Sequence, residues 1–326
     1  MHVEKTRMIW YYPVMEKESV VLIGGEGFLG RNLKETLEID GKFSVYTIDR
    51  TSGDFKIDLE DPASTDKLLE YFRKFKDIPK IVLLASHIGS VEFNNNGVAL
   101  GRKNNRIMTS INTFLEEYSK LKDIPLEVFF YSTSEVYGSL SSMREKITTE
   151  TETPKVSQEI PRFRYSCGKR SEENTLKRMY DENILSHLVI FRPFNVSGRF
   201  QRRGVLFQML KDAVKTGTIV YSGDTTRTIT PVGTANMMAL EHISKNYGYE
   251  IVNMADPRFS ITMEKLAECV KDYMKKKHHK ICTTVAREPD KYIKYRHVSN
   301  LMEGFDKEIM DEVIDDVYRE VVSNGR

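Results

Sequence analysis

Apolar and polar positions alternate along this chain in blocks of two kinds. Short, nearly continuous apolar runs read as strands buried on both faces, and longer stretches with apolar residues every three or four positions read as helices. The first strand signal is Ser19 to Ile23, which runs into glycines and then into a helical pattern through Leu33. Phe43 to Asp49 is a second strand, and a helix is expected near 66–76. Lys80 to Ser86 is a continuous apolar strand, 106–121 has helical spacing, and Leu126 to Ser132 is another buried strand. Residues 141–161, rich in Thr, Glu, Ser and Pro, read as a loop over a site. Tyr165 to Glu182 is a helix and His187 to Pro193 a strand ended by proline.

Strands alternating with helices specify an α/β fold, a Rossmann-type doubly wound parallel sheet. The alternation breaks after Pro193. A smaller mixed α/β C-terminal substrate domain is therefore expected from 194–233 plus 257–326. The helix 234–246 and the strand 250–254 return to the sheet, so the nucleotide-binding domain comprises 19–193 plus 234–256. Residues 1–18 are an extension.

Composition narrows the class. The chain has 326 residues, is 40% hydrophobic and 29% charged, and carries a net charge of +2. That suits a globular protein and supplies no electrostatic argument for nucleic acid or an anionic membrane. No apolar run reaches the ~18 residues of a membrane helix. Cys167, Cys269 and Cys282 are too widely spaced for a zinc or disulfide pattern, so no metal is expected and a reducing, cytoplasmic setting fits. The basic run Lys275–Lys280 reads as a solvated helix end, adjacent His278 and His279 do not share a helix face as metal ligands would, and Met237 and Met238 read as core.

The candidate chemistry starts at Gly24, Gly27 and Gly30, a G-x-x-G-x-x-G turn with Phe28 and Leu29 inside it. Such a turn lets backbone approach a pyrophosphate at a helix N-terminus. Asp49 ends the next strand and is placed to accept hydrogen bonds from a ribose diol, which favours NAD. Arg50 beside it would suit a 2′-phosphate, leaving NADP as the lesser alternative. Asp58 and Leu59 follow at a distance suited to adenine.

Tyrosine and lysine four apart share a helix face. Lysine charge there lowers a phenol pKa toward use as a base. The spacing occurs at Tyr118/Lys122, Tyr165/Lys169 and Tyr273/Lys277. Only Tyr165 follows the strand and hydroxyl cluster ending in Tyr137-Gly138 and precedes Arg192-Pro193, so Tyr165 and Lys169 are the expected pair. The other two are assigned to the surface. Cys167, between them, has no neighbouring histidine and is read as a neutral small residue.

Thr133-Ser-Glu-Val-Tyr-Gly138, Tyr165-x-x-x-Lys169 and Arg192-Pro-Phe-Asn195, with the glycine turn, Asp58-Leu59 and Leu84-Ala85-Ser86, resemble the extended short-chain dehydrogenases/reductases that act as nucleotide-sugar epimerases, dehydratases and decarboxylases. The resemblance spans nearly the whole chain after residue 18. It implies NAD as cofactor, an NDP-sugar as substrate and a homodimer. It implies that Thr133 bonds the reacting oxygen, that Asn105, Phe194 and His87 line the cofactor or sugar, and that Asn195, Arg227 and Arg296 hold the diphosphate.

Threonine followed by a small residue and glutamate resembles 4,6-dehydratases and glucuronate decarboxylases, with Glu135 placed to remove a proton beside a transient 4-ketone. The approach to the tyrosine, Ile160-Pro-Arg-Phe163, is similar to some decarboxylases. Ser134 departs from the aspartate of dTDP-glucose dehydratases and agrees with the GDP-mannose pattern. Arg227-Thr-Ile-Thr230 departs from the usual Arg-Asp-aromatic. Ser86 to Phe93 and the Asn-rich loop after it resemble a 3,5-epimerase, so 4- or 3,5-epimerisation is the alternative reaction. A non-catalytic nucleotide-binding sensor or scaffold is the alternative of another class.

Overall fold

The structure, a computed structural model, describes residues 16–88, 90–142, 147–245, 248–288, 295–296, 298–299 and 301–324. Most of the expected N-terminal extension lies outside the described residues.

The first half winds β1 (Glu18–Ile23), α1 (Phe28–Asp40), β2 (Phe43–Asp49), β3 (Phe55–Lys56), α2 (Ser64–Phe72), β4 (Lys80–Leu83), α3 (Ser90–Lys122), β5 (Leu126–Tyr131), α4 (Arg164–Asp181) and β6 (Leu185–Pro193). There follow β7 (Val196–Ser197), α5 (Val205–Thr216), β8 (Thr218–Ser222), β9 (Thr226–Thr228), β10 (Thr230–Pro231), α6 (Val232–Ile243) and β11 (Tyr249–Met254). The chain ends with β12 (Ser260–Thr262), α7 (Met263–His278), β13 (Thr283–Arg287), β14 (Tyr295–Arg296) and α8 (Lys307–Ser323).

Seven strands form one parallel sheet in the order β11-β6-β5-β4-β1-β2-β3. Alternate residues of each strand feed opposite faces. Val21 and Ile23 of β1 join a core with α2, α3 and α4, through Phe72, Phe114 and Leu176. Val20 and Leu22 join the opposite core with α1 and α6, through Leu33, Leu37 and Ala239. A separate core gathers α5, α7 and α8 around Leu210, Phe259, Leu266 and Val317. Expected and observed elements agree in type and order, with one large difference in extent. Helix α3 begins at Ser90, so the Asn-rich stretch expected as a loop is helical.

Other expectations are corrected. Tyr118 and Tyr273 are core residues, 0% and 2% exposed, because their rings pack against Phe114 and Tyr318. The phenol of Tyr273 finds a partner in Asp315, 2.5 Å away. Met237 is 59% exposed and only Met238 packs on the core, since adjacent helix positions face different directions. The basic run does form the exposed end of α7. Among the described residues no helix is long and apolar enough to cross a membrane, and no cluster of His, Cys, Asp or Glu is arranged to hold a metal.

Candidate active site

A cavity of about 680 Å³ opens at the C-terminal ends of β1, β2, β4, β5 and β6, covered on one side by residues 193–205. In the strand order this is where the winding reverses, between β1 and β4, the usual crevice of such sheets.

The glycine turn forms one wall. Gly24 has φ +91° and its N–H donates to the Ile48 carbonyl at 2.7 Å. A Cβ there would lie 2.5 Å from the backbone nitrogen of Ala85, and one on Gly30 would lie 2.6 Å from the Gly25 backbone. The first glycine therefore lets the turn sit on the end of β4, and the third lets α1 start tight against the turn. Gly27 caps α1 with no side chain, so the first turn of the helix lines the cavity through Gly27, Phe28, Leu29 and Gly30. At the tip of β2, Asp49 accepts from the backbone N–H of Arg50 (2.7 Å) and of Glu26 (3.3 Å). Arg50, Asp58, Leu59, Leu84, Ala85 and Ser86 continue the same wall.

Asn105 does not reach the cavity. It is exposed on α3, while its neighbour Asn104, one residue and about 100° round the helix, is buried. Asn104 accepts from the His87 N–H (2.7 Å) and donates to the His87 carbonyl (3.0 Å), fixing the loop after β4. His87 lines the cavity with Nε2 2.7 Å from Glu60.

Thr133, Glu135, Tyr165 and Lys169 also line the cavity, from the end of β5 and from α4. Tyr165 and Lys169 are buried on one face of α4. Burial pushes the Tyr165 phenol pKa well up, and the carboxylates of Glu135 and Glu172 push it in the same direction, opposed by the Ser86 hydroxyl. Lys169 Nζ lies 3.1 Å from Glu172 and 4.6 Å from the Phe130 ring centroid. Thr133 Oγ1 accepts from the Glu135 N–H at 3.2 Å.

Behind these residues is a buried polar network. Arg192 on β6 makes a two-pronged contact with Glu173, 3.0 and 2.8 Å, and donates to Tyr137 at 3.0 Å. Glu173 also accepts from Ser132, next to Thr133, at 2.6 Å and from Arg170 at 2.8 Å. Tyr137 donates to Asn253 on β11 at 2.7 Å. The network ties β5, α4, β6 and β11 together directly under the Thr133/Tyr165 end. Burial pushes the Cys167 thiol pKa up, away from a nucleophile's.

Three further expected residues sit apart from the cavity lining. Phe194 is fully buried against Val136 and Tyr137, because its side chain points into the small cluster under the site. Arg227 and Arg296 are register partners on β9 and β14, held beside the cavity rather than in its wall. Arg296 is buried, donates to Ser134 Oγ at 3.2 Å and comes within 3.9 Å of Glu135. Asn195 does line the cavity, at φ +37°.

Sequence reasoning missed Glu26, Arg31, Phe200, Arg202 and Arg203, which also line it. Phe200 adopts φ +68° and packs under the Arg31 guanidinium, 3.7 Å from its ring centroid. Arg203 reaches across to the Ile88 carbonyl at 2.8 Å. The arginine-rich stretch 199–203 was a readable signal; the backbone turn that points it at the cavity was not.

The residues present fit a dinucleotide. Glycines stand where any side chain would collide, an uncapped helix end faces the cavity, and a carboxylate stands at the tip of β2. The described residues fold like several solved enzymes. These include a UDP-N-acetylglucosamine 4-epimerase from Methanobrevibacter ruminantium M1 in complex with UDP-N-acetylmuramic acid (TM-score 0.72, 21% identity, 95% of this chain and 100% of that one). A dTDP-glucose 4,6-dehydratase from Bacillus anthracis in complex with NAD is similar at TM-score 0.70 and 17% identity, over 93% of this chain and 96% of that one. In sequence, the chain is 27% identical over 244 residues to a GDP-6-deoxy-D-talose 4-dehydrogenase from Aggregatibacter actinomycetemcomitans, covering 72% of this chain and 73% of that protein. The model of the NAD dependent epimerase/dehydratase family matches residues 20–255, from the first strand to the last of the large sheet, and the chain belongs to that family, with NAD as its cofactor.

Proposed function

We propose that this protein oxidises a hydroxyl of a nucleotide-linked sugar and acts on the transient keto-sugar, with dehydration or decarboxylation as the outcome. The observation that carries the reading is that Thr133, Glu135, Tyr165 and Lys169 line the same cavity as the glycine turn. Bound NAD supplies the hydride acceptor and later the donor.

Tyr165 takes the proton of the reacting hydroxyl, and Thr133 hydrogen-bonds the same oxygen. Lys169 holds the ribose next to the reacting ring and offsets charge on the phenolate. In dehydration Glu135 removes the C5 proton made acidic by the adjacent ketone as the neighbouring hydroxyl leaves as water; in decarboxylation the ketone takes up the electron pair left as carbon dioxide departs, and that carbon is then protonated. Arg296 lies 3.9 Å from Glu135, a cation beside the carboxylate. Asn195 in the cavity wall meets the diphosphate, and Arg227 and Arg296, beside the cavity on β9 and β14, supply the positive charge that suits it there.

The test is incubation with a panel of UDP-, GDP- and dTDP-sugars, read by mass spectrometry. Loss of water marks dehydration, loss of carbon dioxide marks decarboxylation, and an unchanged mass at a new retention time marks epimerisation. Full activity in Tyr165→Phe removes the mechanism.

A second reading, net oxidation at the sugar C4, is favoured by the similarity to a 4-dehydrogenase. It is distinguished by stoichiometric accumulation of reduced cofactor.

A further inference from the structure

We propose that Glu26 is a second carboxylate guarding the adenosine-ribose end of the crevice, and that with Asp49 it makes the protein reject cofactors bearing a 2′-phosphate. The inference rests on the reading that the dinucleotide lies along the glycine turn.

Glu26 occupies the middle of that turn, between Gly25 and Gly27, where the backbone approaches an anionic ligand. A carboxylate at this place opposes pyrophosphate binding unless it is turned aside. Here it is turned toward β2: Glu26 Oε1 lies 3.0 Å from Thr47 Oγ1, while its backbone N–H donates to Asp49 Oδ2. Thr47 and Asp49 are two apart on one strand and so face the same side of the sheet. The pair of anchors brings two carboxylates to one corner of the cavity wall.

A third carboxylate stands behind them. Asp54 Oδ2 accepts from the Thr47 N–H at 2.8 Å and lies 3.1 Å from Thr47 Oγ1. The single hydroxyl proton of Thr47 serves Glu26 or Asp54 at one time and cancels neither charge. Arg50, next to Asp49, also lines the cavity; it is exposed, and its backbone N–H serves Asp49.

A ribose diol donates hydrogen bonds and is welcome beside such acceptors. A 2′-phosphate brings about two negative charges and no donor at neutral pH. Like charges a few ångströms apart in a partly buried crevice weaken binding by on the order of tenfold or more for each carboxylate. Arg50, the sequence feature that kept a phosphorylated cofactor open, is outweighed by two acids.

The test is titration of the full-length protein with NADH and NADPH, followed by calorimetry, for wild type, Glu26→Gln, Glu26→Ser and Asp49→Asn, with a melting curve for each variant. Wild type should bind NADH at least a hundredfold more tightly. Both Glu26 variants should melt near wild type and narrow the ratio by about tenfold, mainly through tighter NADPH, with NADH affinity held within about threefold. Asp49→Asn should instead lose NADH affinity. An unchanged ratio in the two Glu26 variants overturns the proposal, as does wild type that takes NADPH as readily as NADH. Wild type that binds neither overturns the proposal together with the reading of the crevice.

Discussion

Lys169 and Glu172 stand one turn apart on α4 with nitrogen and carboxylate oxygen 3.1 Å apart, and their side chains are only 3% and 8% exposed. Burial pushes the Glu172 carboxyl pKa up, while Lys169 pulls it down. The pair matters for Tyr165, whose phenol pKa is raised first by burial and then by Glu135 and Glu172. Ionised Glu172 both repels a phenolate and neutralises the lysine that would favour one.

Removing that charge lowers the tyrosine pKa. Glu172→Gln is therefore expected to shift the acidic limb of the kcat/KM pH profile to lower pH by about one unit. The same profile measured on Lys169→Met should move the opposite way. A limb that stays in place in Glu172→Gln shows that the carboxylate does not govern the phenol.

Arg192 and Glu173, 1% and 0% exposed, form the centre of the polar network under Thr133. Arg192→Ala leaves Glu173 buried with Arg170 and Ser132 as its remaining partners. The expected loss is about 3–5 kcal/mol of stability, read as a lower midpoint in urea. Arg192→Lys should recover little, because a lysine cannot make the two-pronged contact. An Arg192→Ala midpoint equal to wild type contradicts the network's role.

Gly24 and Gly41 both have φ near +80 to +90°, yet their surroundings differ. A Cβ on Gly41 meets nothing within 4 Å, whereas on Gly24 it collides with the Ala85 backbone. Gly41→Ala should cost about 1 kcal/mol, the cost of a left-handed alanine at a helix end. Gly24→Ala should cost several-fold more and abolish NADH binding even where the protein still folds. Comparable melting temperatures for the two variants would show that the close approach is unimportant.

Glu135→Gln separates the two halves of the proposed reaction. Hydride exchange between cofactor and sugar should persist, because Tyr165 and Thr133 are untouched. Product formation that needs a second proton transfer should fall by about 10²–10⁴-fold. Undiminished dehydration in this variant removes Glu135 from the mechanism.

The strands and the glycine turn were legible because both-face burial and steric exclusion leave a mark on local sequence. Val20 to Ile23 had to be apolar throughout, and Gly24 had to be glycine. Chain order alone separates Tyr165, which lines the cavity, from Tyr118 and Tyr273, which do not. The two decoys went to the wrong place, since a buried tyrosine with its hydroxyl on Asp315 looks, in sequence, like a surface one. Asn105 turns out exposed and its neighbour Asn104 buried, because adjacent identical residues differ only by helix phase. Phe200 and Arg203 were invisible because the positive φ at Phe200 belongs to tertiary packing, not to residue type.

The large sheet is completed by β11, a strand that arrives only after the chain has left β6, contributed β7 through β10 to structure elsewhere, and come back. A gene fragment stopping at Pro193 would thus encode the glycine turn and the Tyr–Lys pair but leave β6 as a raw edge, with its backbone amides and carbonyls seeking a neighbour. Asn253, the acceptor for Tyr137, would be missing as well. Such a fragment should aggregate rather than act as a minimal nucleotide binder, and any dissection or permutation of this protein has to keep the late strand joined to the early ones.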